Sequence, residues 1–243
     1  MTSERKSVAG LIDYIAARAP DFTRKMKGAG GARIDELESL AGALPVDYRE
    51  FLSQMGGAPT EFPLFYDASH DVADVIEKYR ILQEDREEAP AGSVLVAVYG
   101  FQVEEIAVER ADAAGENAPG GRVFVPDGDF LGDRFLEYLY GQAFKYTVGA
   151  RAPLTGTLIG RRGEPQLAAL AAAAAPLGLE KQWFSDSVTL CAADARERTA
   201  LYARQKPNDF VWARVSGENR ALVTELKNAL TGAADLNFEK WWD

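Results

Sequence analysis

Residues 34 to 57 read Ile34-Asp-Glu-Leu-Glu-Ser-Leu-Ala-Gly-Ala-Leu-Pro-Val-Asp-Tyr-Arg-Glu-Phe-Leu-Ser-Gln-Met-Gly-Gly57. Apolar residues recur at helical spacing on both sides of Pro45, which predicts two short helices that meet at this proline. The proline pushes Leu44 out of the helical region and suits the first turn of the second helix. Gly56 and Gly57 are expected to end that helix, because glycine readily adopts a positive φ. The segment therefore predicts a packing core, and none of its side chains is catalytic by type.

The pattern I-x-x-L-E-x-L-x-x-x-L-P-x-D-Y-R-x-F-L-x-x-x-G-G resembles the signature helix pair of the SUKH superfamily. The matching residues are Ile34, Leu37, Glu38, Leu44, Pro45, Asp47, Tyr48, Phe51, Leu52 and Gly57. That superfamily includes fungal regulators of cell-wall synthesis and many bacterial immunity proteins of polymorphic toxin systems. The resemblance implies a SUKH-like domain over residues 1–150, with helices flanking an antiparallel sheet.

Composition favours a protein with genuine apolar cores. Of the 243 residues, 47% are hydrophobic and 10% are aromatic, which argues against a disordered chain. A single cysteine excludes an internal disulfide and suggests a reducing compartment. The longest nearly uncharged run, residues 167–179, is shorter than the ~20 residues of a membrane-spanning helix. Because the N-terminus also lacks a signal-peptide pattern, we expect a cytoplasmic protein without a membrane partner.

Charge is distributed unevenly along the chain. Residues 1–150 hold 26 acidic and 15 basic residues, whereas residues 151–243 hold 11 and 12. An acidic first half repels phosphate groups, so we expect no nucleic-acid partner there. Opposite fields speed the encounter of two proteins, so the first half suits a basic protein surface.

The densest acidic stretch covers a predicted helix over residues 71–85 and the residues just after it. The expected partner-binding residues are Asp71, Asp74, Glu77, Glu84, Asp85, Glu87 and Glu88. Apolar residues at helical spacing would face the core, which places these carboxylates on the outer face. The alternative interpretation is a solvated surface that serves only solubility.

The order of predicted elements indicates an α+β fold. In the first half, helices are expected over 3–19, 71–85 and 130–141, and strands over 62–66, 93–99, 102–110 and 122–126. A boundary is expected at 146–153, followed by a smaller α/β sandwich over 151–243. There, helices are expected over 164–177 and 218–230, and strands over 154–160, 180–192, 199–205 and 210–216. The tail 236–243 is expected to form either a last strand or a docking segment. Strands that alternate with helices in this way suggest a ferredoxin-like arrangement.

The residues of nucleophilic and metal-dependent enzymes are scarce. The chain has one histidine, His70, and one cysteine, Cys191. His70 lies beside Ser69 and Asp71, and sequence neighbours are rarely partners in a catalytic triad. A Cys–His zinc site is excluded by the count. We therefore expect no catalytic residues, no metal and no cofactor, although an enzyme that uses carboxylates alone stays open.

Aromatic residues in the second half admit two interpretations. The set comprises Trp183, Phe184, Tyr202, Phe210 and Trp212. Such side chains can form a stacking platform for single-stranded nucleic acid, but few basic residues accompany them in the sequence. Core packing is the preferred interpretation.

Taken with the resemblance, these patterns predict an immunity-type protein that sequesters and blocks a cognate toxin. The alternative is a non-enzymatic regulatory or scaffolding module that joins protein partners. Growth rescue on co-expression with a toxic gene would distinguish the two.

Overall fold

A computed structural model describes residues 6–57, 63–99, 105–110, 120–126, 128–150, 152–161, 166–206, 210–234 and 236–242. The protein is α+β, with antiparallel sheets of four and six strands. The chain divides into two compact units, Met1–Leu139 and Tyr140–Asp243. The division falls within the helix Phe135–Phe144, ahead of the 146–153 segment that the sequence suggested.

The first unit places its helices before its sheet. The helices are α1 (Val8–Ala16), α2 (Phe22–Lys25), α3 (Gly31–Ala41), α4 (Val46–Met55), α5 (Val72–Asp85) and the start of α6 (Phe135–Phe144). The strands are β1 (Ser93–Val98), β2 (Glu105–Glu109), β3 (Val123–Phe124) and β4 (Phe130–Gly132). They pair in the order β1-β2-β3-β4.

The predicted helix pair is present as α3 and α4. Helix α3 ends at Gly42, whose φ of 83° is in the left-handed region that suits glycine. Pro45 then precedes the first residue of α4, where a missing backbone N–H is no loss. The inward faces of both helices are buried, through Ile34 and Leu37 on one side and Phe51 on the other.

Two elements differ from the sequence-based expectation. Pro63–Tyr66 forms a turn rather than a strand, and Phe62 lies outside the described residues. Leu64 and Phe65 are both fully buried. A turn permits two adjacent buried side chains, whereas successive side chains of an edge strand point to opposite faces of the sheet. Residues Phe130–Gly132 pair with β3 as a strand, so α6 begins only at Phe135. The helical spacing of apolar residues after 130 concealed this short hairpin.

The second unit is a six-stranded antiparallel sheet with two helices. After α6 and a π-helical turn (Lys145–Gly149) come β5 (Leu154–Arg161), α7 (Gln166–Ala174), a 3₁₀ helix (Ala175–Leu177), β6 (Glu180–Lys181), β7 (Thr189–Ala193), β8 (Thr199–Lys206), β9 (Phe210–Gly217), α8 (Arg220–Ala234) and β10 (Asn237–Trp242). The strand order is β10-β5-β9-β8-β7-β6.

Its connections follow the split βαβ pattern. Strands β9 and β10 both run antiparallel to β5, which lies between them, so the α8 crossover joins two parallel strands. The predicted strand over 180–192 is two strands, β6 and β7, joined by a turn. Both helices pack on one core, which contains Leu158, Leu170, Leu190, Leu201, Val223 and Leu226.

Candidate functional site

Most of the residues that resemble the SUKH signature lie in the core of the first unit, whereas Glu38 is partly exposed and forms an ion pair with Arg49. Tyr48 and Phe51 are fully buried, and both rings contact Phe135, with centroid distances of 5.5 and 5.8 Å. Leu44, Pro45 and Leu52 are buried as well. These residues therefore stabilise the unit rather than form a surface.

Asp47 is a buried carboxylate with a structural role. Its Oδ1 accepts the N–H of Tyr48 at 3.0 Å and the N–H of Gly120 at 2.7 Å. Burial raises the pKa of this carboxyl, although the backbone donors oppose the shift. A Cβ at position 120 would stand 2.9 Å from the Cβ of Phe135, so glycine is required at this close approach. Asp47 thus fastens α4 to the segment that precedes β3.

Gly57 serves a close approach rather than a left-handed helix end. Helix α4 ends at Met55 with Gly56 as its C-cap, as predicted, but neither Gly56 nor Gly57 has a positive φ, so the expected left-handed conformation is wrong. A Cβ at position 57 would lie 2.2 Å from the carbonyl oxygen of Gly28. The N–H of Gly57 donates to the carbonyl of Lys27 at 2.9 Å, and Ala29 donates to Leu52 at 2.8 Å. Residues 27–29 thereby lie directly against the end of α4.

His70 is enclosed by aromatic rings of the first unit. The residue is 4% exposed, and its ring centroid lies 5.5 Å from that of Phe51 and 5.6 Å from that of Phe65. Its Nε2 has no hydrogen-bond partner among the described residues. Burial lowers the pKa of His70 to about 4, against a small opposing effect of Asp71. The imidazole is therefore neutral at neutral pH and closed to a substrate.

Helix α5 presents the predicted acidic face to solvent. Its inner face is fixed because Val75, Ile76 and Tyr79 are buried and the Tyr79 hydroxyl accepts the N–H of Leu95 in β1 at 3.0 Å. Asp74, Glu77, Glu84, Asp85, Glu87 and Glu88 are exposed, and Asp71 is partly exposed. The structure therefore brings these seven residues onto one helix and its tail.

The two acids at the start of α5 serve the helix itself. Asp71 is the N-cap, and its Oδ1 accepts the N–H of Ala73 at 2.9 Å. The Ser69 hydroxyl donates to the carboxylate of Asp74 and accepts the N–H of Asp71. These hydrogen bonds explain both carboxylates without a partner protein.

The negative charge in the middle of the acidic face of α5 is partly neutralised. Glu77 lies 3.5 Å from the guanidinium of Arg80, which also contacts Glu36 on α3. Lys78 forms an ion pair with Glu105 on β2. The Arg80–Glu36 and Lys78–Glu105 pairs link α5 to α3 and β2. Exposed pairs such as Arg80–Glu77 contribute about 0–1 kcal/mol each.

The C-terminal end of α5 carries unpaired acids. Glu84, Asp85, Glu87 and Glu88 make no ion pair or side-chain hydrogen bond within the described part of the chain. The last turn contains no basic residue. Carboxylates at this end interact unfavourably with the helix dipole, because the last backbone carbonyl groups give the C-terminus of a helix a partial negative charge. We call these four residues the acidic end of α5.

A pocket of about 270 Å³ adjoins the acidic end. Glu87 and Glu88 contribute to its wall, together with Leu40 from α3 and Leu82 from α5. Arg110 also lines it, and its guanidinium donates to the carbonyl groups of Ala41 and Ala43. The sequence analysis missed this pocket because its walls come from segments far apart in the chain.

Other kinds of site lack support within the described residues. No group of three or more His, Cys, Asp or Glu there could hold a metal ion. No helix in that part of the chain is long and apolar enough to cross a membrane. Cys191 is fully buried, and burial raises the pKa of its thiol well above the ordinary value.

The aromatic residues of the second unit divide into two groups. Trp183 packs on Tyr140 with a centroid distance of 4.8 Å, and Phe184 stacks on the same ring at 5.5 Å. Tyr202 and Trp212 are 6.0 Å apart on neighbouring strands. Trp183 and Phe184 therefore pack in one group, and Tyr202 and Trp212 pack in another.

Comparison with protein-family models gives no match for this chain. No curated protein matches it with significance.

Proposed function

We propose that this chain is a non-enzymatic, immunity-type protein that binds and blocks a cognate toxin in the cytoplasm. We further propose that its first unit is a SUKH-like domain. The resemblance at α3 and α4 supports the family. The acidic end of α5, with four carboxylates that have no partner among the described residues, is the observation that supports a binding surface.

The energetics of the acidic end favour a basic partner. Each carboxylate near a helix C-terminus is unfavourable by about 0.3–1 kcal/mol at low ionic strength. A lysine or arginine of a bound protein would relieve both this interaction and the repulsion among the acids. Complementary charge also raises association rates, which suits an inhibitor that must reach its toxin before damage occurs.

The decisive experiment is growth rescue. The protein would be co-expressed with each neighbouring gene whose product is toxic. The expected result is that cells survive expression of one of these toxic genes. A catalytically inactive form of that toxin would then be used to measure the association rate over a range of salt concentrations. If co-expression of this protein rescues growth from none of the neighbouring toxic genes, the immunity role is contradicted.

A matched pair of charge reversals locates the binding surface. Glu84→Lys with Glu88→Lys should slow association, with the largest effect at low salt. Asp13→Lys with Asp67→Lys changes the net charge equally at two exposed positions elsewhere in the first unit and is the control. Reversal at the end of α5 should also stabilise the helix, so weaker binding could not be attributed to unfolding. If the association rates of both double variants depend equally on salt concentration, the acidic end is not part of the binding surface.

The alternative is a regulatory or scaffolding module. The chain has two compact units, each with a pocket of its own, and this arrangement favours the scaffolding interpretation. A scaffold would bind its partners without protecting cells from any toxin, so the rescue experiment separates the two functions.

A further inference from the structure

A second cleft lies in the second unit and is unrelated to the acidic end of α5. Its volume is about 450 Å³, within the range of sites that hold small ligands. Three elements form its walls: the end of the 3₁₀ helix, the turn between β7 and β8, and the first two turns of α8. All three belong to one compact unit.

One wall of this cleft is apolar and accessible. Leu177, Leu222 and Leu226 line it; Leu222 on α8 is 50% exposed and Leu177 is partly exposed, whereas Leu226 is buried. Among the described residues, Leu222 is the most exposed of the three exposed large apolar side chains. Its exposure leaves apolar area that a ligand could cover.

The opposite wall carries two arginines without partners. Arg196 and Arg198 lie in the turn between β7 and β8, and both are exposed. Neither guanidinium forms an ion pair or hydrogen bond within the described part of the chain. The Asp194 carboxylate accepts the backbone N–H groups of Arg196 and Thr199 at 2.8 Å each, and among the described residues it forms no ion pair with either guanidinium. The turn is thus built by Asp194 and leaves both guanidinium groups available.

A buried hydroxyl group completes the set. Thr199 lines the cleft and is 5% exposed, yet its Oγ1 has no hydrogen-bond partner among the described residues. An unpaired buried hydroxyl is costly, so native structures usually satisfy it. Glu225 on the α8 wall and Asp194 in the turn offset part of the positive charge of the two arginines, which disfavours a ligand with more than one negative charge.

We propose that this cleft binds a carboxylate attached to an apolar body about the size of a leucine side chain. Guanidinium groups bind carboxylates through charge-assisted hydrogen bonds. After rotation about χ1, the Thr199 hydroxyl would contribute one further hydrogen bond, and Leu177 and Leu222 would cover the apolar part. A free carboxylic acid and the C-terminal residue of a peptide share this chemistry. The proposal concerns the second unit alone and stands whether or not the first unit binds a toxin.

The test uses the full chain and defined probes. N-acetyl-L-leucine should shift the backbone NMR signals of Arg196, Arg198, Thr199 and Leu222, and saturate in about the millimolar range expected for so small a ligand. N-acetyl-L-leucinamide, which lacks the charge, and acetate, which lacks the apolar body, should each bind about tenfold more weakly. Binding of the amide as tightly as the acid, or signal shifts elsewhere in the chain, would overturn the proposal.

Variants assign the contributions of individual residues. Arg198→Gln should weaken binding of N-acetyl-L-leucine about tenfold, whereas Lys181→Gln, an exposed cation outside this cleft, should not change it. Thr199→Val keeps the shape of the side chain and should weaken binding without lowering the melting temperature. Unchanged affinity in both Arg198→Gln and Thr199→Val would refute the site, because all the mutated polar groups would then be dispensable.

A second set of probes distinguishes the two sources of the ligand. A short peptide that ends in leucine with a free carboxylate should bind more tightly than N-acetyl-L-leucine if the natural ligand is a peptide C-terminus. Tighter binding of the free acid identifies a small carboxylic acid instead. Failure of both to bind contradicts the proposal.

Discussion

Lowering the pH should destabilise the first unit through its one histidine. His70 lies among Phe51, Phe65 and other rings, and burial lowers its pKa from 6.5 to about 4. The unfolded chain therefore binds a proton at higher pH than the folded unit does. Stability from the neutral imidazole is complete above the unfolded pKa, and it is lost as the pH falls from about 6.5 towards 4.

The magnitude follows from the size of the pKa shift. One unit of pKa corresponds to about 1.4 kcal/mol, so the full loss is about 3 kcal/mol, and about 2 kcal/mol is already lost at pH 5. The raised pKa of Asp47 acts in the opposite direction, because the folded unit takes up that proton first as the pH falls. A variant that removes only the histidine separates the two effects.

Two measurements test this reasoning. The chain contains a single histidine, so its ring proton NMR signals report the pKa of His70 directly. Denaturation of wild type and His70→Leu at several pH values gives the free energy of unfolding. All four tryptophans lie at or beyond residue 183, so tryptophan fluorescence follows the second unit, and circular dichroism must be used for the first.

The expected result is a stability of wild type that falls between about pH 6.5 and 4, with a much smaller slope in His70→Leu. The variant should be no less stable than wild type near pH 5, since leucine needs no hydrogen bond and cannot be charged. A His70 signal that titrates near its ordinary pKa of 6.5 would refute the buried placement. Equal slopes in the two proteins would show that other groups govern the pH dependence.

Three further changes test the packing of each unit. Phe51→Ala should cost about 3–5 kcal/mol of unfolding free energy, and an unchanged melting temperature would contradict the central place of this ring. Gly57→Ala should lower the melting temperature because its Cβ would meet a carbonyl oxygen at 2.2 Å, whereas Gly31→Ala, with open space around it at the first residue of α3, should not. A fragment of residues 140–243 should unfold cooperatively and be more stable than residues 151–243, which lack the Tyr140 ring that packs on Trp183; equal stability would count against this division of the chain.

Local patterns in the sequence predict much of the first unit. The spacing of Ile34, Leu37 and Phe51 specifies α3 and α4, because an amphipathic helix is defined by residues three and four apart. The same argument places the acids of α5 outward, since its apolar stripe must face the core. The α+β class follows from the order of such elements.

Features that depend on distant contacts required the tertiary structure. The sequence predicts that Gly56 and Gly57 end α4, but the close approach of Gly57 to Gly28 is a contact that no local pattern connects to this helix end. The burial of His70 and the tie from Asp47 to Gly120 likewise arise between segments that meet only on folding. The second-unit cleft combines a turn, a 3₁₀ helix and α8 in the same way. Periodicity describes one element at a time, whereas cavities, close approaches and buried polar groups are properties of how several elements pack.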